Sequence, residues 1–91
     1  MRSRYSAFAM QNELYLLGTW HVSTRPARLE FEAGRDWYML KILSAHEDGD
    51  TAKVEFIARS RLGGRTHPLH EVSRFVREDR RWFYLDGVVQ V

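Results

Sequence analysis

The sequence predicts an α+β domain in which N-terminal helices pack on a curved antiparallel four-stranded meander. Three observations support this prediction. Apolar residues recur at helical spacing up to about Gly18, and from Asp36 onward they alternate with polar residues as in β-strands. Three short turn signals divide this second part into four strands. Helices that precede a run of strands are expected to cover one face of the resulting sheet.

Size and composition indicate the general class of the protein. The 91 residues, of which 44% are hydrophobic, predict a single domain over residues 1–91. The sequence has no cysteine, so it can form neither a disulfide nor a thiolate metal site. It also has no run of about 18 apolar residues and no signal-peptide core near Met1. These features predict a soluble, cytoplasmic protein.

The N-terminal segment, from Met1 to Gln11, is predicted to be an amphipathic helix. Its apolar stripe leaves Arg2 and Arg4 on the other side, and consists of Met1, Tyr5, Phe8 and Ala9. No N-cap residue precedes the pattern, which is what a helix truncated at its start would look like. Asn12 either ends this helix or caps a short second helix that ends near Gly18.

The segment from Trp20 to Gly34 is predicted to be irregular, with a turn at Ser23-Thr24-Arg25-Pro26. Long loops without secondary structure are uncommon in small domains and are often functional. This loop is therefore the expected lid or mouth of a pocket.

Four strands and three turns are predicted after this loop. Asp48-Gly49 and Gly63-Gly64 have the composition of two-residue hairpin turns, and Glu78-Asp79-Arg80 is a third, polar turn. The strands are Trp37 to Glu47, Thr51 to Leu62, Leu69 to Arg77 and Arg81 to Val91.

Counting outward from each turn predicts which residues share a face of the sheet. Lys41 is expected opposite Phe56, Phe56 opposite Glu71, and Phe75 opposite Phe83. The predicted core face comprises Met39, Lys41, Leu43, Val54, Phe56, Ala58, Leu69, Glu71, Ser73, Phe75, Phe83 and Leu85.

Lys41 and Glu71 are the two charged members of this face. A buried charge is costly unless it is paired, so these residues either satisfy each other as a structural pair or line a solvated cavity. In the cavity interpretation Glu71 is the candidate general base, because an apolar pocket raises a carboxyl pKa. His21, at the end of the second helix, is the candidate catalytic partner, with a packed or capping histidine as the alternative. The expected pocket-lining residues are Lys41, Phe56, Tyr5, Tyr15, Trp20 and Phe75.

The opposite face of the sheet is too apolar to face bulk water. We expect a second copy of the chain or a flanking domain to cover it, through Tyr38, Ile57, Val72, Val76, Trp82 and Tyr84.

Other site types receive little support from the sequence. The four histidines have no metal-ligand spacing, and no phosphate-binding or nucleophile motif occurs, so no cofactor or metal is predicted. Arginines near Trp82 and Tyr84 resemble a base-stacking surface, but Glu78 and Asp79 lie between them. Nucleic-acid binding is therefore not the expected function.

The ordered motifs of this chain resemble the YchJ family, also called UPF0225, whose proteins contain SEC-C motifs. The matching segments are Met1-Arg-Ser-Arg-Tyr-Ser-Ala-Phe8, Tyr15-Leu16, Thr19-Trp20-His21, Ser23-Thr-Arg-Pro26, Val54-Glu-Phe-Ile-Ala-Arg59, Leu69-His-Glu71, Ser73-Arg-Phe75, Trp82, Tyr84 and Asp86-Gly87. The resemblance implies the family's central NTF2-like domain, a cystatin-like cone in which helices and a curved sheet enclose a pocket.

Many members of this family have a cysteine-rich zinc-binding motif before the domain, and this chain lacks it. The resemblance therefore implies no metal site here and a Met1 that is a truncated or alternative start. It supplies no established reaction. The expected function is a non-catalytic binding or interaction module. The alternatives are an isomerase-, dehydratase- or hydrolase-type enzyme with Glu71 as base and, less well supported, a nucleic-acid or ribosome-associated accessory.

Overall fold

A computed structural model describes residues 1–90 of the chain. It contains two helices followed by four strands: α1 (Arg2–Ala9), α2 (Glu13–Gly18), β1 (Asp36–Asp48), β2 (Thr51–Leu62), β3 (Arg65–Glu78) and β4 (Arg81–Val89). The strands form one antiparallel sheet in the order β1-β2-β3-β4. The predicted helices-then-meander arrangement is confirmed. Val91, the predicted end of the last strand, lies outside the described residues.

The most buried residues of helix α1 lie beside the predicted apolar stripe, although Met1, Tyr5 and Phe8 of that stripe do face the sheet. Arg4 and Ala7 are buried, whereas Phe8 is 37% exposed. The prediction that Arg4 lies off the buried stripe is wrong, because its guanidinium packs on the rings of Trp20 and Tyr84. Within residues 1–90, neither helix is long and apolar enough to cross a membrane.

Asn12 takes one of its two predicted roles, the N-cap of helix α2. Its side-chain oxygen accepts a hydrogen bond from the backbone N–H of Tyr15, at 3.1 Å. Leu16 in this short helix is fully buried. The cap therefore supports the element that places Leu16 in the core.

The segment between α2 and β1 is irregular, as predicted, and its start is tied to β4. The backbone N–H of His21 donates to the carbonyl of Tyr84, and the N–H of Tyr84 donates to the carbonyl of Thr19. The Thr24 hydroxyl donates to the carbonyl of Leu85. These bonds fix Trp20 against the sheet.

The β2–β3 hairpin has the predicted register. Its turn is Gly63-Gly64, with φ of 60° and 75°, and Phe56 lies opposite Glu71 while Val54 lies opposite Ser73. Directly opposed residues of an antiparallel pair share a face, so Phe56 and Glu71 point to the same side. We call this side, which also carries Ala58, the inner face of the sheet, and the opposite side the outer face.

The predicted register of β1 on β2 is wrong. The turn residues are Gly49 and Asp50, and β1 has irregularities between Trp37 and Met39 and between Ile42 and Ser44. Lys41 consequently lies opposite Ile57, one residue along β2 from Phe56. Lys41 therefore lies on the outer face and does not share a surface with Glu71.

The predicted register of β3 on β4 is also wrong. The turn has two residues, Asp79 and Arg80, so that Phe75 lies opposite Tyr84 and Phe83 lies opposite Val76. An irregularity between Arg74 and Phe75 shifts the pairing again further along the strands. Tyr84 and Trp82 thus belong to the inner face. They cannot be part of an outer-face interface, which leaves Tyr38, Ile57, Val72 and Val76 of the predicted set on that side.

Candidate functional site

A partly enclosed cavity of about 120 Å³ lies between helix α1 and the inner face of the sheet; we call it the enclosed cavity, because the neighbouring one is more open. Most of its wall is apolar, and its polar groups come from Arg4, Glu71, Ser73 and Tyr84. Its lining comprises Met1, Arg4, Tyr5, Phe8, Trp20, Trp37, Phe56, Ala58, Leu69, Glu71, Ser73 and Tyr84. An apolar concavity with a few convergent polar groups is the usual form of a small-molecule site.

Glu71 supplies the carboxylate of this cavity. The hydroxyl of Ser73, two residues along the same strand face, donates a hydrogen bond of 2.7 Å to Oε2 of Glu71. Glu71 makes no ion pair with any cation in the described chain. The carboxylate is oriented by Ser73 and keeps acceptor capacity for another donor.

Gly87 on the neighbouring strand makes room for this arrangement. It lies opposite Ser73. A Cβ atom at Gly87 would lie 2.5 Å from Cδ of Glu71 and 2.9 Å from the hydroxyl oxygen of Tyr84. Only a residue without a side chain lets both groups approach the backbone here.

Tyr84 places a protonated phenol beside Glu71. Its ring makes edge contacts with Trp20 and Phe75, with centroids 4.8 Å and 5.8 Å away. Burial raises the pKa of Tyr84 to about 12; the charge of Glu71 adds to the rise, and Arg4 opposes it. The Tyr84 hydroxyl forms no side-chain hydrogen bond with the part of the chain that the structure describes, so it remains a donor for a ligand.

Arg4 of helix α1 is the cation of the cavity. It is only 5% exposed. One of its nitrogens, Nη1, donates to the Thr19 hydroxyl at 2.7 Å and to the carbonyl of Leu16 at 3.4 Å. Its Cζ lies 4.4 Å from the ring centroid of Tyr84, within the range of cation–π attraction. Burial lowers the pKa of Arg4, but a guanidinium keeps its proton in proteins.

A second, more open cavity of about 310 Å³ adjoins the first. The two share Arg4, Tyr84 and Met1 in their walls. The open cavity is lined by Met1, Ser3, Arg4, Tyr15, Thr19, Glu47, Ala52, Val54, Phe75, Trp82 and Tyr84. Arg4 and Tyr84 therefore lie between a smaller apolar cavity and a wider, more polar one.

The predicted pocket residues are divided between these two cavities and the surface. Glu71, Tyr5, Trp20 and Phe56 line the enclosed cavity, and Tyr15 and Phe75 line the open one. The catalytic role proposed for Glu71 stays a prediction.

Lys41 and His21 lie away from both cavities. Lys41 is on the outer face, because it pairs with Ile57 and not with Phe56. His21 lies at the β3–β4 hairpin, where its Nε2 is 2.9 Å from a carboxylate oxygen of Glu78 and its Nδ1 is 2.7 Å from the Ser23 hydroxyl. The structure therefore does not bring His21 together with Glu71.

Three cavity residues, Arg4, Ser73 and Tyr84, were not predicted as site residues. The register on β2 already placed Ser73 beside Glu71 on one face, so that signal was present in the sequence. Tyr84 was assigned to the other face because the turn before it was predicted with three residues and has two. Arg4 had no local signal, since its burial depends on rings contributed by Trp20 and Tyr84.

Two other kinds of site, a metal site and a base-stacking surface, can also be compared with the structure. No group of three His, Asp or Glu side chains within residues 1–90 could hold a metal ion. Two arginines near the β3–β4 hairpin are paired with acids: Arg74 donates through Nε and Nη2 to Asp86, and Arg77 lies 3.1 Å from Asp50. Their charges are thus directed to carboxylates of the chain itself.

Similar proteins identify the domain. A family model described as "YchJ, middle NTF2-like domain" matches residues 1–87. A UPF0225 protein of Polaromonas naphthalenivorans is 59% identical over 88 residues, which are 96% of this chain and 65% of that protein. One of Methylibium petroleiphilum is 55% identical over 91 residues, 98% of this chain and 67% of that protein. This chain therefore spans about two thirds of the length of these relatives.

A solved structure agrees with this similarity. The solution structure of RPA3114, a SEC-C motif containing protein from Rhodopseudomonas palustris, matches with a TM-score of 0.87 and 32% identity. The match covers 100% of this chain and 76% of that one. The two helices and four-stranded antiparallel sheet are thus an NTF2-like fold. The chain belongs to the YchJ family, as its middle NTF2-like domain.

Proposed function

We propose that this domain is a non-catalytic binding module whose enclosed cavity holds a small, mainly apolar molecule that donates a hydrogen bond to Glu71. The observation behind this proposal is the Glu71 carboxylate, which lies in an apolar cavity, is oriented by Ser73 and has no cationic partner among the described residues. A half-buried carboxylate is stabilised when a donor pairs with it. A ligand would supply that donor.

The size of the cavity limits the ligand. An engineered apolar cavity of about 150 Å³ binds benzene. The enclosed cavity, at about 120 Å³, suits a molecule with about one ring. Its aromatic wall, including Trp20, Trp37 and Phe56, favours a flat apolar body.

Phenol and fluorobenzene form a matched pair of probes for this proposal, because only phenol can donate to Glu71. We expect phenol to shift the amide NMR signals of cavity residues in a titration and to bind more tightly than fluorobenzene. Replacing Glu71 by Gln should weaken phenol binding about tenfold, since a hydrogen bond to a charged acceptor is roughly twice as strong as a neutral one. The Glu71→Gln variant should bind fluorobenzene as wild type does.

Glu55→Gln is the control, because Glu55 lies one residue from Phe56, on the outer face, and pairs with His70 there. It should leave phenol binding unchanged. Absence of any shift at the cavity with either probe, or equal phenol affinity in wild type and Glu71→Gln, would contradict the proposed function.

A second candidate function is an enzyme of the isomerase, dehydratase or hydrolase type. The observation that favours it is the position of Glu71 beside the Tyr84 phenol without a Lys41 partner. A carboxylate base beside a protonated phenol can remove a proton while the phenol donates to the oxygen that gains charge. Conversion of a cavity ligand that stops in both Glu71→Gln and Tyr84→Phe would support this function. A ligand recovered unchanged after long incubation would support the binding module.

We also propose that a second copy of the chain covers the outer face of the sheet. Tyr38, Ile57, Val72 and Val76 support this proposal, since they are apolar side chains on the side away from helix α1, with charged residues such as Glu55 and Arg74 between them. Tyr38 is 41% exposed.

A further inference from the structure

Arg4 is a buried cation with no carboxylate in direct contact, although the charge of Glu71 acts on it across the cavity. It is 5% exposed, yet it forms no ion pair with a carboxylate anywhere in residues 1–90. Other, more exposed arginines do have such partners: Arg28, Arg35, Arg74 and Arg77. A charge removed from water normally requires a counter-charge, so the missing partner of Arg4 needs an explanation.

The free donors of Arg4 are accessible from the cavities. Among residues 1–90, Arg4 donates its hydrogen bonds through Nη1 alone. In the described residues, no buried side-chain nitrogen or oxygen lacks a hydrogen-bond partner, so Nε and Nη2 are not sealed off by the protein. These two nitrogens form the edge of a guanidinium that can bind a carboxylate in a bidentate manner.

The position of Arg4 defines how an anion would approach. Arg4 lies in the wall shared by the enclosed and the open cavity, and Tyr84, with its unpaired hydroxyl, lies in the same wall. Glu71 lines only the enclosed cavity. A ligand can therefore direct a negative group toward Arg4 at the junction and a hydrogen-bond donor toward Glu71 further in.

We propose that the ligand of this pocket is a small organic acid whose carboxylate pairs with Arg4 and whose apolar body, ending in a hydroxyl or amine, fills the enclosed cavity toward Glu71. This inference rests on the proposed binding function and specifies its ligand class. The Tyr84 hydroxyl donates a further hydrogen bond to the same carboxylate. Arg4 and Glu71 form no salt bridge, but their opposite charges partly balance each other in the cavity.

Three probes with one ring and different charges test this inference: 4-hydroxybenzoate, 4-hydroxybenzamide and 4-hydroxybenzylamine. All three carry the same hydroxyl for Glu71, so their affinities differ mainly through the group that meets Arg4. We expect the acid to bind wild type at least tenfold more tightly than the amide or the amine, measured by NMR titration of cavity residues. In Arg4→Met, which keeps the packing stem, the acid should lose this advantage while the affinity of the amide stays within about twofold.

Arg2→Met is the matched control, because Arg2 belongs to the same helix and is exposed. It should bind all three probes as wild type does. If Arg4→Met fails to fold, the order in which wild type binds the three probes tests the organic-acid inference by itself. An amide or amine that binds wild type as tightly as the acid overturns the organic-acid inference and leaves the binding function standing. If none of the three probes perturbs the cavity signals, both the organic-acid inference and the proposed binding function are wrong.

Discussion

Gly87 lies where two cavity side chains leave no space for a third. A methyl group there would contact the Glu71 carboxyl and the Tyr84 hydroxyl at distances that require one of them to move. We expect Gly87→Ala to lower the free energy of unfolding by about 1 kcal/mol, the low end of the cost of overpacking, because Gly87 is exposed and the end of the Glu71 side chain can move. Urea denaturation measures this change.

Gly18→Ala is the control for that substitution. No heavy atom lies within 4 Å of a Cβ at Gly18, which is the last residue of helix α2. Alanine there should stabilise the protein by up to about 1 kcal/mol, because it is the better helix former. A Gly87→Ala protein as stable as wild type would show that Glu71 and Tyr84 do not depend on this gap.

Tyr84 gives the protein a dependence on alkaline pH. Its pKa is raised from 10.0 to about 12, so the folded state holds the phenol proton more tightly than the unfolded state does. The associated stability is complete below pH 10 and is lost as the pH rises from 10 to about 12. We expect a loss of about 1 kcal/mol in this window, less than the full shift implies because the ring is partly exposed.

The measurement is the free energy of unfolding across that pH range in wild type and Tyr84→Phe. The variant should lose less stability between pH 10 and 12. Tyr38→Phe, which removes a tyrosine that is 41% exposed, should follow the wild-type curve. Parallel curves for wild type and Tyr84→Phe would contradict a buried phenol in the cavity.

Helix α2 depends on a single side-chain cap. Asn12 satisfies the N–H of Tyr15 at the start of a helix of only six residues, which is too short to be stable alone. We expect Asn12→Ala to lower the free energy of unfolding by about 1 kcal/mol, measured with urea. Asn12→Asp keeps the hydrogen-bond acceptor, and its free energy of unfolding should stay within a few tenths of a kcal/mol of wild type. An aspartate variant that loses as much as the alanine variant would assign the effect to another contact.

The elements of the sheet show which parts of the register a sequence can specify. The Gly63-Gly64 turn fixed the pairing of Phe56 with Glu71 correctly, because both glycines adopt positive φ and no irregularity follows in either strand. The other two hairpins have β-bulges, and a bulge exchanges the faces of every residue beyond it. Lys41 was misplaced for this reason.

The third turn was the hardest to predict. Asp79 and Arg80 both have positive φ, at 51° and 65°, although neither is a glycine. The polar composition predicted a turn of three residues, Glu78 to Arg80, whereas Glu78 and Arg81 pair as the last residues of the strands. As a result, Phe83 lies on the outer face, where Tyr84 was predicted, and Tyr84 lies on the inner face, where Phe83 was predicted.

At the scale of the whole molecule, the fold class was predictable and the site was predictable in part. Helical and strand periodicities are local properties, so the order of elements followed from the sequence. The placement of Glu71 and Phe56 on one face followed from the β2–β3 hairpin, whose register the sequence specifies well. The cavity also needs Arg4 from helix α1 and Trp20 from the following segment, and their approach to β4 is set by packing between distant parts of the chain.

The outer face of the sheet yields the last prediction. Ile57 lies near its middle, on the central strand β2 and opposite His70, so a charge there would be desolvated in any interface that covers the face. If a second copy covers it, wild type should sediment with twice the 10.8 kDa mass of the chain, and Ile57→Glu should sediment as the monomer. Leu14→Glu, at a helix position that is 85% exposed, is the control and should remain dimeric. Wild type that stays at 10.8 kDa at every concentration tested would reject the dimer. Because the cavity opens on the inner face, phenol binding should be the same in wild type and Ile57→Glu, and this separates assembly from ligand binding.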